Sequence, residues 1–262
     1  GLRLSGWVGG DTSYFGLEPR ASAKFSISDK VSIKAAYARM FQYVHMVSTS
    51  GASLPTDMWY PSGKVVRPQR SDQVAGGVSV LLGKQFLLSD EVYYKWMNRQ
   101  VDFRDGAQIF FNDDLDGEFV FGKGWGYGNE IYLEKKRGPG KGIFDRLSGW
   151  VGYTLAWNWR QFDDINSGNK FHPRFDRRND ITVVLIEDLG KRLSVSATWV
   201  YGTGNAVTLP IAWMVASDPV PGNDINIVPI YTERNSFRMP SYHRMDVGVV
   251  YNILPKWGES DI

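Results

Sequence analysis

The side chains best suited to chemistry are few, and their spacing argues against a catalytic site. His45, His172 and His243 are the only imidazoles in the chain. They stand far apart without the short spacing of metal ligands, so no metal site is expected. With no cysteine there is neither a thiolate ligand nor a disulfide framework. Asp57, Asp72 and Glu91 invite an acid–base reading, yet none belongs to a recognisable catalytic pair. They read as solvated charges. The run Asn112-Asp113-Asp114-Leu115-Asp116-Gly117-Glu118 has the composition of a calcium loop but not the full EF-hand spacing. It reads as an exposed acidic loop, with a loosely held Ca²⁺ as the alternative. Gly122-Lys123-Gly124-Trp125-Gly126-Tyr127-Gly128 opens a strand pattern and not a helix, so it lacks the helix terminus that binds a nucleotide phosphate. The cluster Arg174, Asp176, Arg177, Arg178, Asn179 and Asp180 reads as a charge network bracing the start of a strand. No catalytic residue, cofactor or enzymatic activity is expected. The remaining candidates are loop aromatics able to stack on a substrate: Trp59, Tyr60, Phe110, Phe111 and Trp213.

Composition narrows what could carry those loops. Hydrophobic residues make up 43% and the mean hydropathy is −0.29. No stretch approaches the roughly 20 apolar residues of a membrane helix. A membrane β-strand escapes that test, because apolar and polar residues alternate and cancel over any window. Aromatics reach 14%, enough for interfacial girdles. A net charge of +2, with lysine and arginine dispersed, excludes a nucleic-acid partner.

Period-two alternation recurs through most of the chain. Leu147, Gly149, Val151, Tyr153, Leu155, Trp157 and Trp159 share one side; Ser148, Gly152, Thr154, Asn158 and Arg160 share the other. Leu193, Val195, Ala197, Trp199 and Tyr201 oppose Ser194, Ser196 and Thr198. Met245, Val247, Val249 and Tyr251 oppose Arg244, Asp246 and Gly248. The pattern returns around Val31–Tyr37, Val92–Trp96 and Trp125–Leu133. Its polar side carries Lys34, Glu91, Lys95, Glu130 and Glu134, which a dry core would not tolerate unpaired.

About ten strands follow, near 1–8, 17–27, 31–42, 69–82, 86–97, 120–135, 146–159, 176–188, 192–202 and 241–254. Short turns at 28–30, 83–85, 137–146 and 189–191 alternate with long loops at 42–68, 98–119, 160–175 and 202–240. Outer-membrane barrels keep short turns on one rim and long loops on the other. The fold class expected is therefore all-β, an antiparallel transmembrane β-barrel. Trp96, Trp157 and Trp159 are expected at headgroup level. Residues 1–10 read as a strand already under way. Two other readings stand beside this one: a passive porin-like channel, and a soluble β-sandwich carbohydrate-binding module.

The order of several motifs resembles the C-terminal part of the barrel of a TonB-dependent outer-membrane receptor of the Bacteroidetes type. They are Leu17-Glu18-Pro19-Arg20, Gln42-Tyr43-Val44-His45, Ser53-Leu54-Pro55-Thr56-Asp57-Met58-Trp59 and Pro68-Gln69-Arg70-Ser71-Asp72-Gln73. His172-Pro173-Arg174-Phe175-Asp176-Arg177-Arg178-Asn179, Tyr201-Gly202-Thr203-Gly204-Asn205 and Pro240-Ser241-Tyr242-His243-Arg244-Met245-Asp246 continue the series. The resemblance implies a plugged barrel of about 22 strands, importing a nutrient through the outer membrane with TonB-derived energy. It implies three partners: outer-membrane lipid, the TonB complex through a missing N-terminal region, and a surface lipoprotein. Residues 1–262 are expected to be a partial barrel domain, without the plug and the final strands.

Overall fold

The computed structural model describes residues 1–10, 12–48, 57–107, 109, 112–140, 142–190, 192–216, 226–231 and 233–253. Ten strands form one antiparallel sheet: β1 (Leu2–Gly9), β2 (Thr12–Ser26), β3 (Val31–Gln42), β6 (Gln69–Leu82), β7 (Phe86–Phe103), β8 (Phe119–Lys135), β9 (Leu147–Phe162), β10 (Asn179–Asp188), β11 (Leu193–Gly202) and β16 (Tyr242–Tyr251). Each pairs with the next in that order, so the sheet is an up-and-down meander. Three two-stranded hairpins lie inside the long connections: β4 (Val44–Ser48) with β5 (Asp57–Pro61), β12 (Ala206–Val207) with β15 (Phe237–Arg238), and β13 (Ala212–Ala216) with β14 (Asn226–Ile230).

The register turns the sequence alternation into a two-sided surface. Val31, Val80, Leu88, Leu133, Val151, Val183, Trp199 and Met245 are direct cross-strand partners in succession, one apolar row across eight strands. A second row runs Tyr37, Val74, Tyr94, Tyr127 and Trp157, and a third Trp96, Trp125 and Trp159. A one-residue slip at any pair would send that strand's apolar set to the other face, so the rows fix the register. The opposite face is polar: Lys34, Gly77, Glu91, Glu130, Thr154 and Asp180 form the matching row.

Among the described residues neither face of the sheet is covered by a second sheet, as a β-sandwich would require. Val247 and Val249 are 63% and 65% exposed on the apolar face. What is buried lies at the end of the sheet that carries the long connections. Val47, Val66, Val101, Phe103 and Phe119 form one cluster, and Val120, Phe162, Ile165 and Phe171 another. At the other end the connections are short. Gly83 turns in the left-handed region at φ 66°, which suits glycine because no Cβ opposes it. Residues 136–146 hold a single helical turn, α1 (Ile143–Arg146), pinned by the Lys135 ammonium, which donates to the Phe144 and Leu147 carbonyls at 2.5 and 2.7 Å.

The strand count agrees with the alternation, while several boundaries differ. β2 begins at Thr12 and not near residue 17, because the chain reverses tightly after Gly10, at φ 53°. β7 runs on to Phe103, past a bulge at Asn98–Gln100 where Arg99 takes φ 57°. Its continuation pairs with Phe119–Gly122 and fills the first buried cluster, which rewards the extra ladder. The long connections are accordingly 43–68, 104–118, 163–178 and 203–241.

Candidate functional site

The polar face has one row built for close approach. Gly122, Gly124, Gly126 and Gly128 occupy alternate positions of β8 on this face. A Cβ at Gly122 would strike the Phe162 ring, at Gly126 the Asn158 amide at 2.7 Å, and at Gly128 the Tyr93 hydroxyl at 2.8 Å. The glycines therefore let neighbouring side chains lie flat across the strand, and the run has no nucleotide-binding helix behind it. Gly77 acts the same way between β3 and β7. Across it Lys34 reaches Glu91 in an ion pair, and a Cβ there would meet the Lys34 stem at 3.1 Å.

Above the sheet the long connections lock into one layer. Arg234 from 203–241 donates to Asp102 at 2.6 Å, to Asp105 at 2.9 Å and to the Phe103 carbonyl at 3.3 Å. Arg160 of β9 shares Asp102 at 3.3 Å. The second hub is Asp176, fully buried. It accepts from the Asn158 backbone N–H at 2.6 Å and pairs with Arg238, with Arg178 at 3.8 Å and with His172 at 3.4 Å. Buried carboxylates survive only when paired and hydrogen-bonded, and both hubs meet that condition. Asn235 adds a bond to the His172 carbonyl at 2.9 Å.

The β4–β5 hairpin joins the same layer. The Tyr60 hydroxyl donates to Asp116 at 2.5 Å, and its ring meets Phe119 edge to face at 4.6 Å. Burial, then the hydrogen bond and charge of Asp116, push this phenol up to about 12. Asp57 faces Arg174 at 3.6 Å. On the other flank the Trp7 indole donates to the Ser62 carbonyl at 2.9 Å, and Tyr14 to that of Gly63 at 2.7 Å. His45 is fully buried, with Nε2 2.9 Å from the Ser62 hydroxyl, and burial holds it down to about 4.

The candidates singled out from sequence therefore occupy different settings. Trp59 and Trp213 are each 65% exposed, on the β4–β5 and β13–β14 hairpins. No ring contact joins them among the described residues. Tyr60 is engaged by protein on both its ring and its hydroxyl. Phe110 and Phe111 lie outside the described residues. In the acidic run, Asn112 and Asp114 accept from the backbone N–H groups of Asp114 and Gly117 at 2.9 and 3.2 Å. Glu118 takes a two-pronged bond from Arg104 at 2.7 and 2.8 Å. No group of three or more metal-ligating side chains converges among the described residues. Arg174, Arg177 and Asp180 are rim charges as expected, with Asp176 the buried centre of that cluster. Sequence reasoning passed over Asp102, Arg160, Arg234 and Arg238. Their only signal was charge at strand ends and in a long loop.

The apolar face carries rows of aromatic rings. Tyr94 stacks on Tyr127 at 6.1 Å and Tyr127 on Trp157 at 5.4 Å, while Trp159 packs against His172 at 3.9 Å.

No model of a known protein family matches the sequence, and no characterised protein matches it significantly. Solved structures do resemble the fold. The ferric-catecholate import receptor Fiu from E. coli K12, in its closed form, is 17% identical with a TM-score of 0.51, covering 92% of this chain and 29% of that one. The FrpB iron transporter from Neisseria meningitidis is 12% identical with a TM-score of 0.52, covering 92% and 33%. The Ralstonia pickettii toluene transporter TbuX gives 11% identity and a TM-score of 0.38, with 95% and 69% covered. This chain spans about a third of the length of the first two. The likeness shows the fold: the ten-stranded sheet is built like a sector of an antiparallel β-barrel of the outer-membrane kind.

Proposed function

We propose that this chain is part of the barrel of a TonB-dependent nutrient receptor of the outer membrane. The observation that carries the reading is the loop layer. Four long connections at one rim are cross-braced by Asp102–Arg234, Asp176–Arg238 and Tyr60–Asp116 into a shaped outer surface. A passive channel needs only a wet lumen; a receptor needs an ordered outer face that holds a ligand before it moves. The motif order in the sequence supports the same family, and two structural neighbours are an import receptor and an iron transporter. Their low identity supports import rather than any one cargo.

In this reading cargo meets the outer loops first; Trp59, Trp213, Phe110 and Phe111 are the proposed stacking residues, and Tyr60 braces the surface through Asp116. Passage then follows the polar face, lined by Lys34, Glu91, Lys95, Glu130 and Glu134. Among the described residues β1 and β16 each pair on one side, leaving backbone groups that lipid cannot satisfy. In this reading further strands of a barrel of about 22 pair with them. A plug and a TonB-contacting segment outside these 262 residues supply the gate, and a surface lipoprotein is a further partner.

Planar-bilayer conductance separates the two transport readings. For the full-length protein the receptor reading expects a closed pore that opens only when urea unfolds the plug. Steady conductance of the native protein without urea would favour the porin-like channel instead.

A further inference from the structure

Immediately above the aromatic rows, on the same apolar side, the sheet places a polar row that carries two cations. The girdle row of cross-strand partners is Asp72, Trp96, Trp125 and Trp159; the row beyond it is Arg70, Asn98, Lys123 and Gln161. Arg39 stands opposite Asp72 at the girdle level. The connection after β9 adds one more charge. Gln161 donates to the Gly168 carbonyl at 2.9 Å, which folds this segment over the row, and the Lys170 ammonium comes to rest 4.9 Å above the Trp125 ring.

These groups carry four positive charges and one carboxylate. Asp72 takes the Nε of Arg39 at 2.7 Å and that of Arg70 at 3.2 Å, and the Tyr37 hydroxyl at 2.6 Å fixes its orientation. Lys123 and Lys170 are both exposed and have no carboxylate within ion-pair distance among the described residues. Arg70 and Lys123 lie two strands apart, about 10 Å. Tryptophan belts mark the level of the lipid headgroups. Cations held just outside such a belt face the phosphates, where each is favoured by the negative surface potential.

We propose that Arg39, Arg70, Lys123 and Lys170 form a binding site for the phosphorylated headgroup of an outer-leaflet lipid carrying more than one phosphate. The site holds the outer rim at a fixed height in the leaflet and draws the connection after β9 down onto the girdle. It rests on the seating of the apolar face in lipid and is independent of transport.

Native mass spectrometry of the purified protein in detergent tests this, with diphosphoryl lipid A, the same lipid stripped of both phosphates, and inorganic phosphate as probes. The expected result is retention of diphosphoryl lipid A, with affinity lowered about tenfold or more in a Lys123→Gln/Lys170→Gln double variant. Both lysines are exposed and free of ion pairs, so folding is not at stake; an unchanged mobility shift on heating in detergent gels verifies it. Equal retention by the double variant, or of the dephosphorylated lipid, overturns the proposal. So does displacement by millimolar inorganic phosphate, which would make the site one for the free ion. Failure of the conductance test would leave this result untouched.

Discussion

Arg234 places its guanidinium 2.6 Å from the Asp102 carboxylate although 132 residues separate them, and both side chains are buried. That contact fixes the longest connection to the end of β7. Removing the arginine leaves Asp102 with the Arg160 guanidinium at 3.3 Å and the Phe103 backbone N–H at 2.9 Å. Breaking one partner of a buried pair costs about 3–5 kcal/mol. Arg234→Ala should therefore release residues 203–241, read as faster amide exchange and proteolysis there, with the sheet's heat-dependent gel mobility unchanged. Asp102→Asn combined with Arg234→Met should not restore the protection, because Arg160 then loses the carboxylate it shares.

Gly77 is a second point of leverage. Its missing Cβ is the passage through which Lys34 reaches Glu91. Gly77→Val should break that ion pair and crowd the β7 backbone, since the new Cβ would lie 2.7 Å from the Asp90 carbonyl. Overpacking of this sort costs about 1–3 kcal/mol. Urea unfolding in detergent should show a lower midpoint, whereas Gly83→Ala, in an open turn, should lose less.

The β4–β5 hairpin should loosen in acid. His45 is held to about 4 by burial, below its ordinary value of 6.5. The unfolded hairpin thus binds a proton at a higher pH than the folded one. The contribution is complete above about pH 6.5 and is lost as pH falls toward 4. Trp59 emission followed against pH should change over that window and reverse on neutralisation. His45→Gln should flatten the response.

Ligand capture is expected to depend on the exposed indoles. With a ferric catecholate and a linear oligosaccharide as the two probes, Trp59→Ala and Trp213→Ala should each weaken whichever probe binds by about tenfold, the ordinary size of an aromatic anchor. Tyr60→Phe should instead alter amide exchange around Asp116, the acceptor of its hydroxyl. An unchanged affinity in both tryptophan variants would remove these hairpins from the binding surface.

The sheet was legible in the sequence because strand alternation is a local property of period two. Val151, Tyr153, Trp157 and Trp159 are on one face whatever lies beside them, and the paired rows across β3 to β16 repeat the sides read from single strands. Short and long connections were legible too, since each is bounded by the strands it joins. The ends of β2 and β7 were not. The last pairs of β7 form because Val101 and Phe103 meet Val47 and Phe119, and such contacts have no signature within one segment. Nor were the hairpins inside the long connections legible, their strands being too short for a period to emerge.

Of the rim charges, the sequence showed the cluster from Arg174 to Asp180, whose members are neighbours along the chain. It could not show that Asp176 is buried while Arg177 and Asp180 remain exposed. It could not join Asp102 to Arg234, or Tyr60 to Asp116. A charge in a loop carries no record of its partner when the partner comes from another strand's end; only the pairing of the strands brings the two within hydrogen-bond reach. The sequence by itself thus determined which residues share the apolar face and where the loops leave the sheet. The tertiary structure decided which loop side chains are braces and which, like Trp59 and Trp213, are left facing out, because burial at the rim depends on how four separate connections pack against one another.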